Sequence, residues 1–581
     1  MPPMMPRMTD HRPWFSAWPA DVPRTLEPYP EVSAYAMLAD SAARFPDRPA
    51  TAFFGKRLTY GQLLAQVERF SGVLVSLGVK QGDRVGMLLP NCPQYIVTWY
   101  ACQRIGAIAV GNNPLYTQRE LEHQLADAGV QVMVVLDQVY ENLGKVRDAV
   151  GIREVIATKV TDAMKFPLNA LAPLKFKREA KHEGKPWPPI GPNERVRWWK
   201  DVMKGTGLVP PVASVDPRTD PAALVYTGGT TGYSKGAMIS HFNLVANAKQ
   251  SRALFSDTKD GEDCIMCVLP FFHSFGVIAM NLGISSGWKI AMLPRFELHM
   301  ALRELQRERA TIFPGVPRLY IALNEAPETT KYDLKSLKAC VSGASPLPLA
   351  VAKRFEEITG GAQVVEGYGL TEASPVTHAN PVKGRRKESS IGLPLPDTDC
   401  KIVSLEDPDQ VMPPGERGEL CLRGPQIMLG YWNRPDATAE TIRNGWLHTG
   451  DVAIMESDGY FTIVDRMKEL ILVSGFNVYP TEIEDVIFRH PKVLKVSVVG
   501  VPDDVTGERV KAFVVPRPDQ TVTAEELDAF CRDPKSGLTG YRVPKEWEFR
   551  ESLPETLIGK VLRRVLLEEE RAKQAGATPR S

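Results

Sequence analysis

The stretch "LVYTGGTTGYSKG", residues 224–236, carries the strongest structural signal in the chain. Its first residues are apolar, as in a buried strand, and the loop after them consists almost only of glycine, threonine, serine and one lysine. Such a loop has little side chain to pack, so its backbone N–H groups and hydroxyls are expected to face a ligand. Phosphate suits these donors, and a mobile surface loop is the alternative.

The spacing of the loop excludes the best-known class of phosphate site. That class requires G-x-x-x-x-G-K followed by Ser or Thr. Here Lys235 is preceded by Ser234 and followed by Gly236, so the pattern fails. The hydroxyls and the point charge of Lys235 still favour phosphate over a plain surface loop.

The length and the net charge of the chain limit the classes of protein to which it can belong. At 581 residues the chain is too long for one hydrophobic core, so two or more domains are expected. The net charge is +1, which provides no global field for steering to nucleic acid, and we expect no nucleic-acid partner.

The cysteines and the N-terminal residues indicate in which cellular compartment the protein is expected. Of the eight cysteines only Cys264 and Cys267 have a metal-like or redox-like spacing, and they lie in an apolar run that predicts a buried strand. Reduced core thiols are therefore expected, as in the cytoplasm. Residues 1–30 contain many prolines and no apolar signal region, which predicts an extended tail. No apolar stretch is long enough to span a bilayer, so we expect a soluble protein or one attached to a membrane surface.

The order of the patterns predicts the fold. From residue 31 to 150, and again from "AALVYTGG" onward, helical and strand patterns alternate, which favours mainly parallel sheets covered by helices. After about residue 380 short strands and turns indicate an antiparallel or barrel-like piece, and a small α+β domain begins near residue 466. The predicted fold is a large α/β N-terminal domain, residues 31–464, followed by a small α+β C-terminal domain, residues 469–581.

Residues 159–204 interrupt the alternation. They hold eleven Lys/Arg against five Asp/Glu, with Phe166, Phe176, Trp187, Trp198 and Trp199 interleaved. A solvated surface insertion is one interpretation. The other is a patch that rests on an anionic membrane, with basic side chains at the headgroups and aromatic rings at the interface.

The loop and several later segments resemble the adenylate-forming enzymes, the superfamily of acyl-CoA synthetases, peptide-synthetase adenylation domains and firefly luciferases. The similar segments follow the family's order and cover most of residues 50–565. They are "YTGGTTGYSKG" (226–236), "LPFFHSFG" (269–276), "SGASPL" (342–347), "EGYGLTE" (366–372), "GWLHTGD" (445–451), "VDRMKELILVSGFNVYPTEIE" (464–484) and "LPETLIGKVLRR" (553–564). The run from "GYWNRPDAT" through "EIEDVI" is similar to bacterial long-chain fatty-acid–CoA ligases.

The resemblance implies a role for individual residues in adenylation. Thr371 would donate to a phosphate oxygen, Glu372 with Thr227 would hold Mg²⁺, His273 would lie near the reacting carboxylate or act as a gate, and Lys560 would contact the α-phosphate. The implied β- and γ-phosphate contacts are Thr227, Gly228, Gly229, Thr230, Thr231, Gly232, Ser234 and Lys235. The implied adenine contacts are Gly343, Ala344, Glu366, Gly367 and Tyr368.

The remaining implied roles concern the ribose, the pivot and the thiol substrate. Asp451 would bind the ribose hydroxyls, Arg466 the ribose or a phosphate, and Lys468 the nucleotide. Residues 465–468 would form a hinge with Asp465 as the pivot, about which the small domain rotates between the two half-reactions. The implied pantetheine contacts are Gly475 and Phe476.

The resemblance implies an ATP-dependent ligase with ATP, Mg²⁺ and coenzyme A as cofactor and co-substrates. The apolar residues of "PFFHSFGVIAMNLGI" are consistent with a medium- or long-chain fatty acid and disfavour an amino acid. An aryl-acid–CoA ligase, a fatty acyl-AMP ligase that loads a carrier protein, and a non-catalytic lipid- or nucleotide-binding relative stay open. A monomer or a homodimer in the cytoplasm, with peripheral contact to an anionic membrane, is expected.

Overall fold

The computed structural model describes residues 12–182, 187–192, 194–205, 207–227, 234–533, 538, 540–556 and 561–574. These residues divide into two compact units. Unit 1 contains the described residues of 1–228, 233–399 and 423–447, and unit 2 contains those of 400–422 and 448–581. Unit 2 thus includes residues that the sequence assigned to the large domain, and the hinge at 465–468 stays a prediction.

The chain forms short strands throughout both units. In chain order they are β1 (Pro49–Phe53), β2 (Lys56–Thr59), β3 (Arg84–Leu88), β4 (Ile108–Gly111), β5 (Val132–Leu136), β6 (Glu154–Thr158), β7 (Arg197–Trp198), β8 (Pro221–Tyr226), β9 (Gly236–Ser240), β10 (Cys264–Cys267), β11 (Lys289–Met292), β12 (Ile312–Gly315), β13 (Ala339–Ser342), β14 (Gln363–Gly369), β15 (Val376–Ala379), β16 (Leu393–Pro394), β17 (Asp399–Val403), β18 (Arg417–Arg423), β19 (Gly430–Tyr431), β20 (Ile442–Arg443), β21 (Trp446–Met455), β22 (Phe461–Arg466), β23 (Ile471–Val473), β24 (Phe476–Val478), β25 (Val493–Asp503), β26 (Gly507–Pro516) and β27 (Glu546–Phe549).

Helices alternate with the strands of unit 1 and flank the strands of unit 2. They are α1 (Tyr35–Arg44), α2 (Tyr60–Ser76), α3 (Pro93–Ile105), α4 (Gln118–Ala128), α5 (Tyr140–Val146), α6 (Leu168–His182), α7 (Trp199–Val202), α8 (His241–Ala253), α9 (Ser274–Ser285), α10 (Leu298–Glu308), α11 (Pro317–Glu325), α12 (Leu349–Thr359), α13 (Pro435–Thr441), α14 (Pro480–Phe488), α15 (Ala524–Arg532) and α16 (Arg563–Gln574).

Two large sheets form unit 1, as the alternating pattern predicts. One has the order β16-β15-β14-β13-β12-β10-β11-β1-β2, and its six strands from β14 to β1 are parallel. The other has the order β19-β9-β8-β4-β3-β5-β6-β7, parallel from β8 to β7. Parallel strands end at one edge of a sheet, so the loops after β10, β12, β13 and β14 lie along one edge.

Helix α3 shows how local sequence and packing agree in unit 1. Pro93 occupies its first turn, where a missing N–H costs nothing, and Gly106 ends it in the left-handed conformation with φ 68°. Every residue from Pro93 to Ile105 is buried, including the polar side chains of Gln94 and Gln103, so other elements pack around the helix on all sides. It therefore belongs to the interior of unit 1.

Unit 2 is built mainly from antiparallel strands. It contains most of a five-stranded sheet, with β22 paired to β21, and all of a second sheet of order β24-β23-β26-β25 with β27 parallel to β26. The core beneath the second sheet includes Val478, Ile483, Val510, Ala512 and Leu527, which lie on strands and on α14 and α15. The predicted change to short antiparallel strands and the small α+β part are confirmed.

The segment 159–204 contains more regular structure than its prolines suggest. Leu168–His182 is helical in spite of Pro173, because most of its residues are Leu, Ala, Lys, Arg and Glu, which favour helix. No residue of this helix is buried. Trp199, by contrast, is 6% exposed and packs on Phe70 with ring centroids 4.5 Å apart, so it is a core residue.

Three further expectations can be compared with the structure. Residues 12–30 pack against unit 1, where Trp14 is buried and the Tyr29 hydroxyl donates to Asp397. Cys264 and Cys267 lie in buried strand β10, as predicted, and burial raises the pKa of Cys264 to about 12. Within the described residues, the helices are all too short or too polar to cross a membrane.

Candidate active site

The glycine-rich loop joins two antiparallel strands in unit 1. Strand β8 leads into it and β9 leaves it, with Tyr226 opposite Gly236, and the Thr227 N–H donates to the Lys235 carbonyl at 2.9 Å. A hairpin of this kind differs from the strand–loop–helix arrangement of a Walker site, in agreement with the failed spacing. The implied phosphate contacts Gly228, Gly229, Thr230, Thr231 and Gly232 lie outside the described residues, and Ser234 is half-buried beside Lys235.

Lys235 is held by a tyrosine that the sequence did not identify. Its ammonium lies 4.6 Å from the centre of the Tyr431 ring, and the Tyr431 hydroxyl donates to Glu372 Oε1 at 2.6 Å. Tyr431 reaches this place because β19 pairs with β9, opposite Ala237. The three side chains connect the loop with "GLTE", and only long-range strand pairing brings them together.

Thr371 and Glu372 occupy a short turn directly after β14. The Thr371 hydroxyl donates to Ser274 Oγ at 3.3 Å, and the Glu372 carbonyl accepts from the Met428 N–H at 2.9 Å. Glu372 offers one half-buried carboxylate, and Thr227, directly after β8, offers one hydroxyl. This donor set fits Mg²⁺, which prefers few protein oxygens together with water and phosphate. Glu372 and Thr227 would hold the ion.

His273 is a neutral histidine at the start of α9. Its Nδ1 accepts from the Phe275 N–H at 3.2 Å, which assigns the proton to Nε2. Burial lowers the pKa of His273 to about 4, so the ring carries no charge at neutral pH. It can offer an N–H donor and supplies no counter-charge.

The two small-residue loops predicted for adenine lie at neighbouring strand ends. Gly343 follows β13, and a Cβ at this position would approach Phe275 Cε1 to 2.9 Å, so the loop needs glycine there. Gly367 in β14 lies beside it, and Ala344 has φ 71°. The structure thus brings "SGAS" and "EGYG" together at one sheet edge.

Tyr368 and Glu366 complete this edge. The Tyr368 ring meets the His378 ring edge-on at 5.9 Å, opposite it on β15. Burial raises the pKa of Glu366 to about 7, so both the protonated carboxyl, which can donate, and the carboxylate, which accepts, are accessible near neutral pH. A group that can both donate and accept a hydrogen bond suits the edge of a purine, which has donors and acceptors.

In unit 2 the two residues implied for the ribose form an ion pair. Asp451 on β21 lies opposite Arg466 on β22, and Arg466 Nε lies 2.9 Å from Asp451 Oδ1. Glu419 fixes the part of β21 before Asp451, because its Oε1 accepts from the Gly450 N–H at 2.9 Å and its Oε2 lies 2.7 Å from His448 Nδ1. Sequence reasoning missed Glu419, which has no motif signal of its own.

The residues implied for the hinge and the thiol substrate also lie in unit 2. Asp465 is buried and accepts from the N–H groups of Arg466 and Thr481, both at 2.8 Å, and Lys468 is exposed. Gly475 forms the exposed tip of the β23–β24 hairpin with φ 82°, and the exposed Phe476 stacks on Tyr541 at 5.2 Å. Lys560 lies outside the described residues.

Comparison with protein families agrees with these features. A family model described as AMP-binding enzyme matches residues 38–432, and one described as AMP-binding enzyme C-terminal domain matches residues 482–560. A long-chain-fatty-acid–CoA ligase of Bacillus subtilis is 43% identical over 566 residues, covering 97% of this chain and 99% of that protein. The Escherichia coli protein of the same name is 41% identical, covering 96% and 98%.

More distant relatives share the fold. A feruloyl-CoA synthase of Amycolatopsis is 34% identical, covering 89% of this chain and 95% of that protein. The crystal structure of ATP-bound MatB from Rhodopseudomonas palustris has a TM-score of 0.79 at 29% identity, covering 94% of this chain and all of that chain (100%). The anthranilate CoA ligase AuaEII, solved with anthranoyl-AMP, has the same fold with a TM-score of 0.79 at 23% identity.

Proposed function

This chain belongs to the AMP-binding enzyme family, and we propose that it is an ATP-dependent fatty acyl-CoA synthetase. A fatty acid and ATP give acyl-AMP and pyrophosphate, and coenzyme A then gives acyl-CoA and AMP. The observation that carries the proposal is the connected group Lys235, Tyr431 and Glu372 beside the Thr371–Ser274 contact. It places a cation, a carboxylate and a hydroxyl where two sequence motifs meet.

In the first half-reaction a carboxylate attacks the α-phosphorus while pyrophosphate leaves. Negative charge approaches negative charge, so catalysis depends on fixed donors and cations. Lys235 and the loop hydroxyls would bind the phosphates that leave, and Thr371 would donate to a phosphate oxygen. Mg²⁺, when bound, neutralises charge on the phosphates, and Glu372 with Thr227 would hold it.

Other residues would recognise the nucleotide. The small residues at Gly343 and Gly367 would admit adenine, with Tyr368 on one face of the base. Asp451 and Arg466 would bind the ribose. Lys560 would bridge the α-phosphate and the attacking carboxylate, since one ammonium can attract both anions.

The acid is proposed to be a medium- or long-chain fatty acid. Helix α9 follows His273 and contains no charged side chain, and its buried residues include Val277, Ile278 and Met280. We propose that α9 lines the acyl site, where it would offer no partner to an α-ammonium group, and this favours an oily acid. The neutral ring of His273 leaves the acid's carboxylate free to react rather than bound as an ion pair.

A panel of acids tests the proposal. CoA-dependent release of AMP is measured for fatty acids of graded chain length, with benzoate-like and cinnamate-like acids included because of the feruloyl-CoA synthase relative. We expect the highest kcat/KM for medium or long chains. Preference for an aryl acid would support an aryl-acid ligase instead. Formation of acyl-AMP without turnover of CoA would support a ligase that loads a carrier protein. If no acid caused release of AMP or formation of acyl-AMP, the chain would be a non-catalytic relative.

We also propose peripheral contact with an anionic membrane through helix α6. Its first two turns, together with Phe166 two residues before the helix, expose large apolar side chains; those of the helix are Leu168, Leu171 and Leu174. Its last two turns carry Lys175, Lys177, Arg178 and Lys181 against one acid, Glu179. An apolar end beside a basic end suits a lipid surface, where apolar side chains enter the interface and cations meet headgroups.

Vesicle binding tests this contact with a charge-matched control. Lys177→Glu/Arg178→Glu changes α6, and Lys353→Glu/Arg354→Glu makes the same change on exposed positions of α12. We expect the α6 variant to bind phosphatidylglycerol-containing vesicles at least about tenfold more weakly, and the α12 variant to bind like the parent. Equal binding by all three proteins, or binding that salt does not weaken, would contradict the membrane contact, and α6 would then be a solvated surface helix.

A further inference from the structure

Glu419, Cys421 and His448 bring three different kinds of metal ligand together within unit 2. Cys421 Sγ lies 3.4 Å from His448 Nδ1, and Glu419 Oε2 lies 2.7 Å from the same nitrogen. A carboxylate oxygen, the sulfur and a ring nitrogen all lie within 4.8 Å of one another. We call these three residues the Glu–Cys–His group.

Two neighbouring strands hold the group in place. Glu419 and Cys421 are two residues apart on β18, so their side chains lie on one face of the sheet. His448 is on β21, the next strand of the same sheet. The second oxygen of Glu419 is already fixed, because Oε1 accepts from the Gly450 N–H at 2.9 Å. Ligands on paired strands, one of them oriented by a backbone donor, are the arrangement that a metal site needs.

The contacts of His448 do not fit a nucleophilic relay. In a relay of cysteine, histidine and acid, the thiol and the acid contact opposite nitrogens of the imidazole ring. Here the thiol and the carboxylate both contact Nδ1, which can carry only one proton. Three ligand atoms that converge on one point suit a shared cation instead.

The burial of the group also favours a cation. Glu419 is 8% exposed, Cys421 is 0% exposed, and the side chain of His448 is 7% exposed. A carboxylate and a thiolate this close together in the interior repel each other unless a cation lies between them. A divalent ion would neutralise both anions, and the neutral imidazole would add a third ligand.

We propose that the Glu–Cys–His group binds Zn²⁺. Zinc accepts sulfur, nitrogen and oxygen ligands in one site, whereas Mg²⁺ and Ca²⁺ prefer oxygen alone. The three side chains supply three ligands of a tetrahedral site, and water supplies the fourth. The inference goes beyond the proposed function and does not rest on it. The site uses neither Glu372 nor Thr227, the residues proposed for Mg²⁺.

Zinc binding requires small changes in the group. Bonds of about 2.3 Å to sulfur and about 2.0–2.2 Å to nitrogen and oxygen place the ligand atoms of a tetrahedral site about 3.4–3.6 Å apart. The distance between Cys421 and His448 already matches, and the Glu419–His448 hydrogen bond must open by less than about 1 Å. The thiol releases its proton to solvent as the zinc–sulfur bond forms, and Nδ1 binds in its unprotonated form.

The experiment compares two buried cysteines of unit 2 in the full chain. Cys421→Ser removes the proposed sulfur ligand, and Cys531→Ser removes a thiol from the core beneath the second sheet. Metal-free protein without ATP is titrated with Zn²⁺ in competition with a chromophoric chelator. A separate titration with Co²⁺ follows the near-ultraviolet charge-transfer band that a thiolate ligand produces. Thermal unfolding is measured with and without Zn²⁺.

We expect the parent and Cys531→Ser to bind one Zn²⁺ per chain and to show the thiolate–Co²⁺ band. Cys421→Ser should lose the band and bind Zn²⁺ at least about 100-fold more weakly, since loss of a group that merely orients a ligand already costs about 10–100-fold. Zn²⁺ should raise the Tm of the parent and of Cys531→Ser more than that of Cys421→Ser. The affinity of the parent should fall at acid pH, because the thiol must lose its proton.

Several results would overturn the site. The proposal is wrong if the parent shows no thiolate–Co²⁺ band, if the band persists in Cys421→Ser, or if Cys531→Ser loses it as well. If Cys421→Ser does not fold, Glu419→Gln takes its place, because glutamine keeps the size and an acceptor for the Gly450 N–H. That variant should keep the band and bind Zn²⁺ at least about tenfold more weakly. An unchanged Zn²⁺ affinity in Glu419→Gln would contradict the site equally.

Discussion

The two units hold their acidic site residues in different ways. In unit 1 Glu372 accepts a hydrogen bond from the neutral hydroxyl of Tyr431, and Lys235 lies against the face of the same ring. In unit 2 Asp451 pairs with Arg466, and Asp465 with Arg563. A neutral partner leaves the full charge of a carboxylate available to a metal ion, whereas an arginine neutralises it within the protein.

This difference points to a division of work between the units. A hydrogen bond to a charged group contributes about 1.5–3 kcal/mol, enough to orient Glu372 without cancelling its charge. An arginine pair fixes the position of the carboxylate and neutralises its charge. Unit 1 is therefore suited to binding a cation at Glu372, whereas unit 2 holds Asp451 and Asp465 in neutralised, fixed pairs.

The largest expected effect tests this division with one lysine from each unit. Lys560→Ala should lower adenylation by about 10²–10³-fold, because a donor to the reacting groups is lost in the transition state. Lys235→Ala should mainly raise the KM for ATP, by about tenfold, because its phosphates are bound before and during reaction. Acid-dependent pyrophosphate release at varied ATP measures both.

The two half-reactions provide the control for this pair. Lys560→Ala should convert supplied acyl-AMP and CoA to thioester at close to the parent rate. An equal loss in both half-reactions would contradict its assigned role. If Lys235→Ala lost kcat as severely as Lys560→Ala, the division between the units would be wrong.

A smaller effect is expected at the neutral partner of Glu372. Tyr431→Phe keeps the ring beneath Lys235 and removes the hydroxyl, so Glu372 loses its orienting donor. We expect the Mg²⁺ concentration for half-maximal rate to rise by about tenfold, as for other groups that orient a metal ligand. Titration of the adenylation rate with Mg²⁺ measures it.

Tyr226→Phe is the matched control for Tyr431→Phe. It removes another tyrosine hydroxyl of unit 1 that donates to a carboxylate, that of Asp127 at 2.7 Å. Its Mg²⁺ requirement should stay at the parent value. A shift of the same size in both variants would show that the Tyr431 hydroxyl has no particular link to the metal site.

These residues show which features the sequence could predict. The buried strands and the loops after them follow from apolar runs, and most site residues from motifs that adjoin those strands. Tyr431, Glu419 and Arg563 were missed because their partners lie far away in the sequence. Arg563, for instance, meets Asp465 from 98 residues downstream only after α16 packs on unit 2. Helix α6 was missed because prolines outweighed its helix-forming composition.

The smallest effect concerns how α16 is held on unit 2 at acid pH. Burial alone would raise the pKa of Glu548 on β27, but Lys573, Lys511 and Arg550 outweigh it and lower this pKa to about 2. Lys573 lies on α16 and pairs with Glu548 at 2.8 Å, so the acid attaches the helix to the sheet. A carboxyl with a lowered pKa in the folded state stabilises fully above its ordinary value near 4.5, and this contribution is lost as the pH falls toward 2.

Hydrogen exchange of the α16 amides, corrected for intrinsic rates, measures this loss. Glu548 is partly exposed, so solvent screening reduces the contribution to about 1 kcal/mol, and protection should fall by about fivefold between pH 5 and pH 3. Glu548→Gln should lower protection at pH 5 and remove much of the pH dependence, while Glu551→Gln, at an exposed position just after β27, should leave both unchanged. If Glu548→Gln left the pH dependence intact, the arginine and lysine pairs of unit 2 would not be what fixes α16, and the contrast with the neutral partners of unit 1 would lose its physical basis.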